Sequence, residues 1–176
     1  MSAYPESAQL KTLSFEFVRA YIITMRPYLM FVSGITGLVG MSFIPNVSTS
    51  EFILRFAASF LSCGFGQART DCFQIDTDSI SSPYRPLTQG VISRMQAFIT
   101  SAVGLTLCIA VFAAGNLSNL LLGAAAGTGL ATYTYFTRRW WGGPFYHAGI
   151  VAVLCSIAFI SGAQSFSQIV STSMVW

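Results

Sequence analysis

Residues 70–90 read TDCFQIDTDSISSPYRPLTQG and gather Asp71, Asp76 and Asp78, half of the six acidic residues in the chain. If one helix runs on through this segment, Thr70, Asp71, Gln74 and Asp78 recur at three- and four-residue steps and share a face, with Gln67 one turn earlier. Such a face offers carboxylate, amide and hydroxyl oxygens, which suit a hard cation such as Mg²⁺ better than zinc or copper. Mg²⁺ held this way commonly bridges to phosphate oxygens. Arg85 follows between Pro83 and Pro86, and its planar guanidinium matches a phosphate bidentately. Acids plus an arginine fit a diphosphate–metal complex. The alternative is a loop stiffened by two prolines, in which Arg85 marks one side of a membrane; composition leaves both open.

The elements that must carry this segment are apolar. Of 176 residues, 53% are hydrophobic, 14% aromatic and only 9% charged, with a mean hydropathy of +0.63, whereas a soluble domain carries about 25% charged residues. Apolar stretches at residues 27–44, 52–68, 95–114, 120–136 and 145–163 lie near the roughly 20 residues a helix needs to cross a bilayer. The fold class expected is all-α, a polytopic transmembrane bundle of about five spanning helices. Residues 1–20 form a cytoplasmic N-terminal segment, 21–163 the transmembrane domain and 164–176 a polar, uncharged tail. The breaks PNVSTSE, GNLSN and RRWWGGP carry turn chemistry.

Alternate threading puts Lys11, Arg19, Arg26, Arg69, Arg85, Arg94, Arg138 and Arg139 on one side and only Arg55 on the other. The positive-inside rule makes the first side, with the N-terminus and the acidic segment, cytoplasmic. The N-terminus lacks the pattern of a cleaved signal peptide. The basic residues stand singly or in one pair, so no face exists to dock a nucleic-acid backbone. Cys63, Cys72, Cys108 and Cys155 show no metal-type spacing and read as inert thiols. Gly123 and Gly127 form a GxxxG read as packing within the bundle. The sequons at Asn46 and Asn116 lie too close to the membrane for glycosylation. His147, the single histidine, reads as an interfacial packing residue, and Trp140, Trp141 and Tyr146 as an aromatic belt.

These residues resemble the UbiA-type intramembrane prenyltransferases, whose first signature is NDxxDxxxD followed by PxRP, a glycine and a serine. Asp71 and Asp78 match its first and last aspartates, Gln74 stands at the middle one and Thr70 at the asparagine. Pro83, Arg85, Pro86, Gly90 and Ser93 fit the remainder without a gap. The run MRPYLMFVSGITGLVG, opened by Arg26 and Pro27, and YTYFTRRWWGGPFYHAGIVAV, with Arg138, Arg139, Pro144 and Gly149, resemble the family's first segment and the stretch after its fourth.

The resemblance implies a helical bundle that binds an isoprenoid diphosphate through Mg²⁺ and passes the prenyl cation to an aromatic or other small acceptor. It implies Asp71 and Asp78 as the catalytic carboxylates and Thr70, Asp71, Gln74 and Asp78 as the metal set. Arg26, Arg85, Tyr133, Tyr135, Arg138 and Arg139 fall on substrate; for the last two arginines a topological role stays equally open. A divergent role in secondary metabolism is expected from the altered motif. The family pattern has about nine spanning helices and a second aspartate-rich motif, and no aspartate follows Asp78 here. The chain is therefore expected to be the N-terminal half of such a fold, a fragment or inactive as it stands, pairing with a complementary half or with itself. Two other readings are a terpene cyclase of the same fold and a non-catalytic transporter or ligand-binding membrane subunit.

Overall fold

The computed structural model describes residues 10–12, 14–42 and 47–115, and further on 121–126, 128, 129, 132, 145, 148–150, 152, 153 and 156. Regular structure among these is all helical: α1 Phe15–Met25, α2 Pro27–Ser42, α3 Thr49–Asp71, α4 Ile75–Ser81 and α5 Arg94–Gly115. Helical residues recur at 121–126 and 148–150. Tyr133, Tyr135, Arg138, Arg139, Trp140, Trp141, Tyr146, His147, Asn46 and Asn116 lie outside the described residues.

α1 begins inside the segment expected to be a cytoplasmic N-terminus. Ser14 caps it, its Oγ accepting from the Phe17 N–H at 3.1 Å, and Glu16 favours the positive end of the helix dipole. It ends at Arg26, which adopts φ 54°, a left-handed conformation rare for a side chain of this size. The following Pro27 bars Arg26 from the right-handed helical region and supplies the preset φ of a first helical position. The two helices consequently meet at a 65° bend.

α3 is the central element, packing against α1, α2 and α5. Small residues let α2 approach it closely: the Ser33 hydroxyl donates to the Ser59 carbonyl at 2.7 Å, and Gly37 lies against the Ser59 side chain. On the other side Gly104 of α5 receives the Phe65 ring. The larger buried cluster, with Phe17, Tyr21, Met30, Ala68, Cys72 and Ile92 among its members, sits at the end of the bundle that carries the acidic segment. A second, of Ala58, Cys108 and Phe112, is covered by Leu122 and Val153. Gly123 faces Ile109, so the glycine at the start of the GxxxG packs inside the bundle.

By length and composition α5 alone, over Arg94–Ala114, can cross a membrane among the described residues; the bent pair α1–α2 passes the same test only as one span. α3 has 23 residues, about 34 Å at 1.5 Å per residue, but carries Glu51, Arg55, Arg69 and Asp71. Arg55 is buried and paired with Glu51 at 2.8 Å, which offsets the one basic residue expected on the outer side. Ile99, Val103 and Leu107 expose an apolar stripe along α5.

A β-carbon on Gly37 would collide with Ser59. Gly37→Leu is expected to wedge α2 from α3 and cost about 1–3 kcal/mol. Gly34→Ala, whose new carbon would meet the Phe56 ring at 3.0 Å, should cost less. Unfolding midpoints in mixed micelles rank the two; equal stability of Gly37→Leu and wild type would refute the close α2–α3 contact.

Candidate functional site

The acidic segment is not one continuous helix. α3 stops at Asp71, and its last turn tightens through Phe73 N–H to Thr70 carbonyl (2.9 Å) and Gln74 N–H to Asp71 carbonyl (3.1 Å). α4 restarts at Ile75, with Gln74 as its cap but without a side-chain capping bond. Packing sets the break: Phe73 meets Phe98 edge-on at 5.9 Å, and the Arg94 guanidinium lies 5.2 Å from the Phe73 ring centre. The expected single face is thereby divided, because Asp71 and Asp78 belong to different helices.

Arg85 brings them back together. Its Nη1 donates to Asp78 Oδ2 at 2.7 Å and lies 3.5 Å from Asp71 Oδ2. The loop that holds it is folded on itself, with the Arg85 N–H on the Ser82 carbonyl and the Val91 N–H on the Pro86 carbonyl. Gly90 supplies a positive φ of 76°, open to glycine at low cost. Arg26, aimed by the α1–α2 bend, donates from Nη2 to both oxygens of Asp71 at 2.7 and 3.0 Å. Gln67 donates from Nε2 to Asp71 Oδ1 at 3.0 Å.

Asp71 is 1% exposed. Burial pushes its carboxyl above the usual carboxylate range, Arg26, Gln67 and Arg85 pull it back, and Asp78 adds to the rise. The thiol of Cys72 next door is pushed up to about 11, first by burial and then by Asp71, which keeps it an unreactive thiol.

The other residues expected at the site fare differently. Thr70 is buried and gives its hydroxyl to the Gly66 carbonyl at 3.0 Å, a bond within its own helix. Gln74 is half-buried at the α3–α4 junction. Asp76 is exposed and lines, with Thr88 and Arg94, a separate cavity of about 290 Å³ beside α4. Gln67, one turn before the acids and not among the expected metal or substrate contacts, touches Asp71 directly. Its signal was the i, i+4 step, which places an amide over a carboxylate.

Among the described residues no group of three or more His, Cys, Asp or Glu could hold a metal by itself. Mg²⁺ does not require such a cage: it is usually bound by one or two carboxylates, with waters and substrate phosphates completing an octahedron. The test of fit is Arg85 Nη1, a cationic nitrogen at the point where the Oδ2 atoms of Asp71 and Asp78 converge. Two carboxylates already sharing one cation are a suitable donor pair for Mg²⁺.

The family model for the UbiA prenyltransferase family matches residues 30–176. The chain belongs to the UbiA prenyltransferase family. Members of this family are integral to membranes, in keeping with the apolar α5. Among its relatives is a digeranylgeranylglyceryl phosphate synthase of Thermococcus sibiricus, 30% identical over 158 residues that cover 86% of this chain and 54% of the relative. The enzyme of that name from Natronomonas pharaonis is 29% identical, over 85% of this chain and 53% of its own. A solved structure concerned with digeranylgeranylglyceryl phosphate synthase in membranes superposes with a TM-score of 0.77 at 21% identity, over 90% of this chain and 58% of that one. The UbiA-like fold expected from the sequence is thus present, and the chain spans about half the length of the curated relatives it matches.

Removing Arg26 leaves Asp71 buried with less of its compensation, and breaking one partner of a buried pair costs about 3 kcal/mol or more. Arg26→Ala should therefore be strongly destabilising, and Arg26→Ala combined with Asp71→Ala should recover part of the loss. A double-mutant cycle in mixed micelles measures this; strictly additive losses would show that the pair is not coupled.

Proposed function

We propose that this chain forms the diphosphate-binding part of a Mg²⁺-dependent membrane prenyltransferase that transfers an isoprenoid group from an allylic prenyl diphosphate to a small acceptor. The observation that carries this reading is the convergence of Asp71 and Asp78 on one cationic nitrogen, with Arg26 beside them. Asp71 and Asp78 are the proposed Mg²⁺ ligands, and Arg26 and Arg85 the groups that meet diphosphate oxygens. Gln74 stands near enough in sequence to offer an amide oxygen, while Thr70 takes a structural part. Tyr133, Tyr135, Arg138 and Arg139 are proposed on the substrate by resemblance to the family.

Ionisation breaks the allylic C–O bond, and the electron pair leaves with the diphosphate oxygen. Bound Mg²⁺ would supply positive charge to that leaving group. Arg26 and Arg85 add fixed donors aimed at the same developing charge. The acceptor closes the sequence by bonding to the allylic carbon and losing a proton. The relatives' name specifies a product with two geranylgeranyl chains on a glyceryl phosphate, which makes geranylgeranyl diphosphate and a geranylgeranylated glyceryl phosphate the first donor and acceptor to try. The proposed topology is five spans with the N-terminus and acidic segment cytoplasmic, supported by the bias of basic residues.

Purified protein in nanodiscs should bind geranylgeranyl diphosphate in the presence of Mg²⁺. Asp71→Ala and Asp78→Ala should each weaken binding roughly tenfold or more, the order expected for losing a charge-assisted contact. Equal binding by wild type and both variants would remove the site. Transfer to the acceptor is assayed with this chain alone and with the remaining portion of a matched relative added.

A further inference from the structure

Asp71 receives three side-chain donors, and they are not equivalent. Arg26 reaches both of its oxygens from one nitrogen, at 2.7 and 3.0 Å. Arg85 approaches Oδ2 alone, at the long distance of 3.5 Å, while its shorter bond goes to Asp78. Gln67 donates to Oδ1 alone, at 3.0 Å. Oδ1 therefore carries two close donors, Arg26 and Gln67, whereas Oδ2 has one, Arg26, and meets the Arg85 nitrogen that it shares with Asp78.

The donors also differ in what an anion would do to them. Arg26 and Arg85 are cations with exposure near one-fifth, so a diphosphate entering beside them competes directly for their guanidinium groups. Gln67 is neutral and stands on the same helix as Asp71, four residues earlier. An uncharged amide is attracted to an entering anion far less strongly than a guanidinium is, and the helix fixes its separation from Asp71 whatever the loops do. Thr70, the nearest alternative, has given its hydroxyl to Gly66.

We infer that Gln67 is a positioning residue for the metal-binding carboxylate: it holds Oδ1 of Asp71 while the arginines turn to the diphosphate, so that Oδ2 stays directed at the cation shared with Asp78. This rests on the function proposed above. Gln67 touches neither metal nor substrate; it acts through Asp71, as outer-shell partners of ligating carboxylates do.

The test uses the full chain in nanodiscs, inorganic pyrophosphate as the anion and Mn²⁺ as a Mg²⁺ substitute whose free concentration is read by electron paramagnetic resonance. Gln67→Met keeps the length and removes the donor; Gln67→Asn keeps the amide but is one methylene too short to reach. Both should weaken Mn²⁺ in the presence of pyrophosphate by about tenfold or more and leave metal-free pyrophosphate binding, which Arg26 and Arg85 provide, at the wild-type level. Parallel loss of metal-free pyrophosphate binding would show a merely structural role and overturn the inference. So would wild-type Mn²⁺ affinity in both variants. If wild type itself binds pyrophosphate neither with nor without Mn²⁺, it is the proposed function that falls.

Discussion

A single buried carboxylate organises the site end of this bundle. Asp71 is 1% exposed, and an uncompensated charge there would be costly enough to unfold a marginal protein. Its three donors come from three places: Arg26 at the α1–α2 junction, Gln67 within α3, and Arg85 in the loop after α4. Satisfying one carboxylate therefore ties the first helical pair, the central helix and the acidic loop together. The large apolar cluster beneath, running from Phe17 to Ala97, packs the same elements. Apolar burial supplies bulk stabilisation without direction; the directional bonds to Asp71 choose one arrangement of the loop over that apolar floor.

Two breaks in helical structure make this geometry possible. At Arg26 the chain accepts a left-handed residue, a conformation costing on the order of 1–3 kcal/mol, and the bend turns the guanidinium onto Asp71. After Asp71 the chain leaves α3 for three residues before α4 begins. A continuous helix would have set Asp71 and Asp78 seven residues apart along one face, about 10.5 Å in rise, too far for one cation to touch both. The break shortens that separation until Arg85 spans it with a single nitrogen.

What could be read in the sequence follows from which signals are local. The apolar stretches 27–44, 52–68 and 95–114 reappear as α2, α3 and α5 with shifted ends, because length and hydropathy are properties of the segment itself. Asp71, Asp78 and Arg85 were legible from charge and the flanking prolines, and they do converge. α1 was missed because Glu16 and Arg19 interrupt its apolar residues, although Phe17, Ala20, Tyr21 and Thr24 make a buried face at helical spacing. The α3–α4 break was illegible since no proline or glycine lies between Thr70 and Ser82. It depends on Phe73 finding Phe98 and Arg94, residues more than 20 positions away. The full number of spans is a separate matter, since α3 carries charges that hydropathy alone counts against it.

The charge balance of the cluster bears on how a cation can enter it. Asp71 and Asp78 are met by Arg26 and Arg85, so the four charges cancel, and the neutral Gln67 adds none. A neutral cluster exerts little net attraction on a free divalent ion, and such an ion would have to displace a guanidinium already seated between the carboxylates. An anion entering first, or together with the metal, changes both terms: it offers Arg85 and Arg26 new oxygens and makes the vacated carboxylates available. With Gln74 where the family pattern has an aspartate, there is one fewer negative charge to draw in a bare cation. In the proposed function, the substitution that weakens the metal motif would thus make Mg²⁺ binding depend more heavily on a phosphate held by the arginines.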